Sequence, residues 1–362
     1  MKVTSSATAG LCPSPHPSRK GEAPRRDKLA GLEGLRGLLA LVVCLGHYGL
    51  NDALAPLGLH VRFDLAVDVF FAISGFVLSR AYYLGRRGFR DLAVGRIARL
   101  YPLHLLTLLW CLWLSHRGGV EWPLLVQNLL LVQNIGLPPN RWAFDFPSWS
   151  ISVEMAVSLT FFLVMRRGRP GLAGALLIGG IALSAYETAS GLTPALNHHG
   201  MLNSGLMRGI AGFALGAAAY STSERNAGIT ARLGAFALPL SLLLLAFFLI
   251  DAWPWPVGAV FALVAFLAVL AIAGAAGVPV LASRPFVWLG AVSYSVYLLH
   301  IPLLWSANAA LGRDVAGFEK LPLLAVVLAA AHLSYRAFEL PVQRAVLGAL
   351  SQPATPPLTP RS

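Results

Sequence analysis

The sequence predicts an all-α fold, a polytopic membrane helix bundle of about ten transmembrane helices with both termini cytoplasmic. Three observations predict it. Of the 362 residues, 56% are hydrophobic and only 12% are charged, about half the charged fraction of a soluble domain; mean hydropathy is +0.66. Apolar runs recur near residues 33–50, 64–84, 100–117, 147–165, 171–188, 204–221, 233–250, 256–275, 286–306 and 321–341. Each is near the ~20 residues that cross a hydrocarbon core. With the N-terminus inside, twenty Lys and Arg fall on the cytoplasmic side and five outside, as the positive-inside rule requires.

The net charge of +12 and pI of about 10.2 do not indicate nucleic acid, because the basic residues lie between apolar runs rather than on one exposed patch. Cys12, Cys44 and Cys111 are too widely spaced for a disulfide framework or a metal pattern. Residues 1–29 read as a disordered basic cytoplasmic tail, 30–345 as one membrane domain and 346–362 as a second disordered tail. The first apolar run has no small-residue cleavage site behind it, so it is a retained span.

The first span carries Arg36 and His47. Eleven residues of helix rise about 16 Å and turn about 20° beyond three full turns, so the two share a face. A charge inside a span costs several kcal/mol and is a functional candidate by default; the plainer reading has Arg36 snorkelling and His47 at the interface. The second span, FDLAVDVFFAISGFVLS, enters from outside and puts Asp68 at the depth of His47. A carboxylate beside an imidazole suits a general base, while a helix-capping role is the alternative for Asp68, as for Asp64. Ser74 could serve as a nucleophile, though Ser74-Gly75 reads more simply as a small-residue helix contact.

RDLAVGRIARLYPLH follows. Arg96 and Arg99 share a helical face just before the third span, which suits a phosphate-rich ligand or plain positive-inside anchoring. Residues 122–137, WPLLVQNLLLVQNIGL, are interrupted by Gln127, Asn128, Gln133 and Asn134; they read as a re-entrant or interfacial segment, which keeps the span count even. The fourth span opens PSWSISVEMAV and puts Glu154 at outer-third depth beside His47 and Asp68. In the sixth, Arg208 enters at comparable depth, placed to pair with a carboxylate. The ninth carries Tyr294, Ser295 and Tyr297 mid-membrane and His300 in its outer half; the tenth holds His332 mid-span and ends near Glu339. The His198-His199 pair lacks metal-site spacing, and no metal is expected.

LRGLLALVVCLGHY resembles the Arg-x10-His signature of the acyltransferase 3 family of integral membrane acyltransferases. VDVFFAISGFVLS, RIARLYPLH, WSISVE, LGAVSYSVYLLHIPL and YRAFELP resemble further motifs of that family, in order from residue 32 to residue 341. The resemblance implies a multi-pass protein of the inner (cytoplasmic) membrane that moves an acyl group, commonly acetyl, from acyl-CoA to a hydroxyl. The implied acceptors are carbohydrates: cell-surface polysaccharide, glycolipid or a related glycan. No cofactor is bound on this view; acyl-CoA is a co-substrate, and the other partner is the lipid bilayer. His47 becomes the catalytic residue, and Arg36, Arg96 and Arg99 the donor contacts. Two departures are Met155, where the family commonly has a second acidic residue, and an end soon after the tenth span, without the extracytoplasmic hydrolase-like domain of some members.

The combined expectation is a membrane O-acyltransferase. His47 acts as general base, oriented by Asp68 or Glu154, with Ser74, Arg208, Tyr294, Ser295 and His300 as acceptor contacts or support. A transporter or flippase of a glycan or drug-like substrate is the alternative, since it too needs intramembrane charge. Transporters often show two related halves, and none is detectable here.

Overall fold

The computed structural model describes residues 29–83, 88–115, 119–138, 144–190, 198–199, 202–249, 257–274 and 279–351. The expected tails at 1–28 and 352–362 lie outside them. Fifteen α-helices account for nearly all the regular structure. They are α1 (Ala30–His47), α2 (Leu50–Leu54), α3 (Leu65–Leu78), α4 (Phe89–Ser115), α5 (Trp122–Leu129), α6 (Trp149–Met165), α7 (Arg169–Ser190), α8 (Ser204–Arg225), α9 (Ala227–Gly234), α10 (Ala237–Phe247), α11 (Val257–Gly274), α12 (Arg284–Ala291), α13 (Ser293–Leu311), α14 (Lys320–Ser334) and α15 (Leu340–Ser351). A two-residue antiparallel pairing joins His198–His199 to Leu202–Asn203.

Helix occupies each of the ten expected segments; among the described residues five helices are long and apolar enough to cross a membrane, or up to seven if each bent pair is one span. The bent pairs are α9–α10, at 71°, and α12–α13, at 63°. The first two helices show why the apolar pattern folds as it does. In α1, Leu32, Leu35, Leu39 and Val43 are buried at helical spacing, and Gly49, at φ 80°, turns the chain out of the helix into α2. Gly37 lets α1 touch α12 backbone to backbone: a Cβ there would stand 2.5 Å from Gly290 N. Likewise Gly75 and Gly216 bring α3 and α8 into direct contact, at Phe213 O and Ala72 O. Without a hydrophobic drive between helices in lipid, such close approach supplies the packing. Meanwhile Leu109, Trp113, Leu177, Ile181, Leu263 and Leu333 are exposed, as an apolar solvent permits.

Two expectations change. Arg96 and Arg99 do not precede the third span; they lie inside α4, one continuous helix of 27 residues, about 40 Å long. The apolar run marks only its second half, because the first half carries Arg90, Asp91, Arg96 and Arg99. The last helix continues to Ser351, past residue 346, where the sequence suggests that a tail begins.

Residues 122–137, expected as a re-entrant or interfacial segment, form one short helix and irregular backbone. The eight-residue α5 covers only about 12 Å. It turns Trp122, Val126 and Leu130 outward and buries Gln127 and Asn128. The carbonyls at its end are satisfied by side chains of α4: His104 Nε2 lies 2.8 Å from Asn128 O and the Tyr101 hydroxyl donates to Leu129 O. Gln133 Nε2 reaches Ser148 O and Oγ at 3.2 and 3.1 Å. Through these bonds the segment seats the short 3-10 turn Phe146–Ser148, which leads into α6.

Candidate active site

His47 ends α1 and is partly exposed. Three rings surround its imidazole. Phe63 and Phe146 each present a T-shaped contact with centroids 5.0 Å away. His300, fully buried on α13, lies nearly parallel at 5.0 Å, with its Nε2 2.8 Å from His47 Nδ1. His300 Nδ1 is in turn 3.2 Å from Val296 O. The hydroxyl of Tyr48 donates to His300 O at 2.9 Å, so the last residue of α1 and the one after it bond the ring and the backbone of one residue of α13.

The other end of the Arg36–His47 face holds guanidiniums and carboxylates. Arg36 NH1 lies 3.3 Å from Glu33 Oε2 across one turn. Arg96, buried, reaches Glu154 Oε1 at 2.7 Å. Arg99 is exposed and shares the electrostatic neighbourhood of Arg36, Glu33, Arg96 and Glu154. Ser74 Oγ donates to Glu154 at 2.8 Å. Beside Arg36 lies a small, partly open cavity, with Arg36, Ser74, Glu154, Ser150, Tyr294 and Tyr297 among its walls. At the wall nearer the imidazoles, the hydroxyls of Ser150 and Tyr297 are 2.9 Å apart and the Tyr297 ring centroid is 6.2 Å from that of His300.

Thus Arg36, Glu154, Ser74 and Tyr294 line one cavity, Arg96 reaches its wall through Glu154, Arg99 lies in the same charged neighbourhood, and His47 and His300 pair beyond Tyr297. The sequence expectation fails on what orients His47. Asp68 is committed to Arg208, whose Nε and NH2 donate to its two carboxylate oxygens at 2.8 and 2.7 Å. Glu154 belongs to Arg96. Neither carboxylate hydrogen-bonds the His47 ring; His300 does. The depth argument misplaced Glu154 because α6 starts from a turn seated within the bundle, against Gln133, and not at its surface. Ser295 and Tyr294 point away from the imidazoles: Ser295 Oγ donates to Glu339 at 2.5 Å, while the Tyr294 hydroxyl donates to Leu100 O.

Sequence reasoning missed several neighbours. Phe63 and Phe146 carry no chemical signal, only adjacency to span starts. Glu339, noted only by depth, accepts from both Ser295 and Ser334, the latter at 2.9 Å, and is held on a π-helical turn, Tyr335–Glu339. Asp145, just before the turn that carries Phe146, was not singled out at all. Burial pushes its carboxyl up to about 7, with the nearby Thr107 hydroxyl working the other way. Among the described residues no three His, Cys, Asp or Glu side chains cluster as metal ligands would.

The match to the acyltransferase domain runs from residue 29 to residue 333. The chain belongs to the acyltransferase 3 family. Among similar proteins, acyltransferase MdmB of Streptomyces mycarofaciens is 37% identical over 158 residues, covering 40% of this chain and 41% of that protein. Protein 2 in the picA locus of Rhizobium radiobacter is 41% identical over 154 residues, covering 36% of this chain and 78% of that protein. The chain therefore spans about two fifths of the length of the first relative and over three quarters of the second. No solved structure matches.

Proposed function

We propose that this protein is an integral membrane O-acyltransferase of the inner (cytoplasmic) membrane, moving an acetyl group from acetyl-CoA to a hydroxyl of a cell-surface glycan or glycolipid. One observation carries the reading: a cavity walled by Arg36 and by Glu154, the partner of Arg96, with an imidazole pair beyond Tyr297 on its other wall. Arg99, Arg96 and Arg36 suit the phosphates of the donor, since planar guanidiniums bind phosphate in bidentate fashion. The cavity then accommodates the pantetheine arm, whose amides and thioester meet Ser74, Ser150 and the tyrosine hydroxyls. His47 takes the proton of the acceptor hydroxyl as its oxygen attacks the thioester carbonyl. The tetrahedral intermediate collapses, the C–S bond breaks, and the imidazolium returns its proton to the leaving coenzyme thiolate. Asp68 and Arg208 support the fold of the site rather than its chemistry. A relative named acyltransferase agrees with the reaction type.

The test is release of coenzyme A thiol from acetyl-CoA by the purified full chain, supplied with membranes of its source cells as acceptor. Mass spectrometry of the glycan and lipid fractions should then show added acetyl groups. Thiol release only at the rate of spontaneous hydrolysis, with no acetylated product, would overturn the assignment.

A further inference from the structure

His300 lies 253 residues from His47 in the chain, yet it is the polar group that meets the His47 ring. The direction of each hydrogen bond between them can be worked out. Val296 O is a carbonyl and can only accept, so the hydrogen on the 3.2 Å contact belongs to His300 Nδ1. In the neutral His300 ring, Nε2 then carries the lone pair. The 2.8 Å contact to His47 must be donated by His47 Nδ1. The neutral His47 ring is left with an unprotonated Nε2, the nitrogen that makes no hydrogen bond to His300.

We propose that His300 is a positioning residue that holds His47 in the Nδ1–H tautomer, leaving His47 Nε2 as the proton acceptor. For its catalytic meaning the proposal rests on the acyltransferase reading; for the tautomer it does not.

The surroundings fit this assignment. The partner nitrogen of a histidine sets which ring nitrogen is protonated, and a neutral imidazole does so without burying a charge. Other titratable groups nearby are engaged elsewhere. Tyr48 donates to His300 O, and the Tyr297 hydroxyl is taken up by Ser150 and Pro147 O. Asp68 and Glu154 are held by Arg208 and Arg96. Because Tyr48 anchors the His300 backbone while His47 meets its ring, the two rings keep a fixed relation; Phe63 and Phe146 close the flanks of His47.

The experiment is nitrogen-15 NMR of histidine-labelled full-length protein in lipid nanodiscs, with His47 assigned from a His47→Gln variant. In the wild type, His47 should show a protonated Nδ1, a bare Nε2, and a coupling across the N–H···N bond to His300. His300→Leu removes the acceptor and should return His47 to the ordinary mixture in which Nε2–H predominates; His300→Gln, whose Oε1 can accept, should keep Nδ1–H. In the thiol-release assay, His300→Leu should lower kcat by roughly 10²-fold, the low end of what a positioned base contributes. KM for acetyl-CoA should stay within about twofold, and His300→Gln should recover most of the loss. A wild-type His47 protonated at Nε2, or equal losses in the Leu and Gln variants, would overturn the proposal. If His300→Leu does not fold, the wild-type spectrum and the Gln variant decide it. Failure of acyl transfer in the wild type would sink the enzymatic reading, while the spectra would still decide the tautomer.

Discussion

At the His47 end of the cavity the polar contacts are ring nitrogens, hydroxyls and backbone carbonyls, packed among aromatic rings. At the Arg36 end they are guanidiniums against carboxylates. The contrast teaches a division of labour. A base needs a defined lone pair, which directional bonds to neutral partners supply. A binding site for a multiply charged ligand needs positive charge that stays put when the ligand leaves; Glu33 and Glu154 hold Arg36 and Arg96 in place and limit the cost of burying them. The two ends should therefore fail in different ways.

The largest effect is expected at the neutral end. His47→Ala should lower turnover by roughly 10²- to 10⁴-fold, the range of general base catalysis, with membrane insertion intact. Wild-type turnover in that variant would remove the imidazole from the mechanism. Next comes a control that lies at neither end. Arg208→Leu leaves the half-buried Asp68 without its partner and should cost up to about 3–5 kcal/mol of stability, read as thermal unfolding in detergent. The double variant Asp68→Leu/Arg208→Leu should recover most of that loss. A double variant as unstable as the single would mean that the pair does more than balance charge. At the charged end, Arg99→Lys should raise the acetyl-CoA KM by about 10- to 150-fold, since a charge-assisted contact is worth roughly 1.5–3 kcal/mol. Full recovery by Lys would reduce Arg99 to a topology signal.

The last effect, on stability rather than on turnover, concerns Asp145. Its folded value of about 7 exceeds the unfolded value of about 3.9, so the folded state binds the extra proton and stability falls as pH rises between them. Asp145→Asn should therefore gain stability over the wild type progressively from about pH 4 to pH 7, levelling above that. Thermal unfolding at pH 4.5 and 7.5 checks it, and an equal gain at both values would contradict it.

Much of the charged end was legible in the sequence because its residues are local. Arg36 with His47, and Arg96 with Arg99, follow from helical periodicity on single elements. Arg208 enters its span at a depth that invites a carboxylate, and Asp68 answers it. The His47–His300 pair was not legible. Depth estimates placed three titratable groups, Asp68, Glu154 and His300, near His47 without choosing among them, and chemical habit favoured a carboxylate. The choice depends on where α6 starts, and that depends on Gln133 bonding Ser148 from a segment whose apolar run is broken by amides. Bends were not legible for a related reason: pairs such as α12–α13 look like uniform apolar runs when read along the chain.

The central claim is that one end of the cavity binds the donor and the other moves the proton. It is tested most directly by steady-state kinetics of His47→Gln and Arg99→Lys, side by side at matched protein amounts, with acetyl-CoA varied and source-cell membranes as acceptor. With chemistry slow relative to donor release, His47→Gln should lose kcat while its KM for acetyl-CoA stays near the wild-type value. Arg99→Lys should show the reverse, a raised KM with kcat at saturation little changed. The same pattern in both variants, whether in kcat or in KM, would contradict the division of the site.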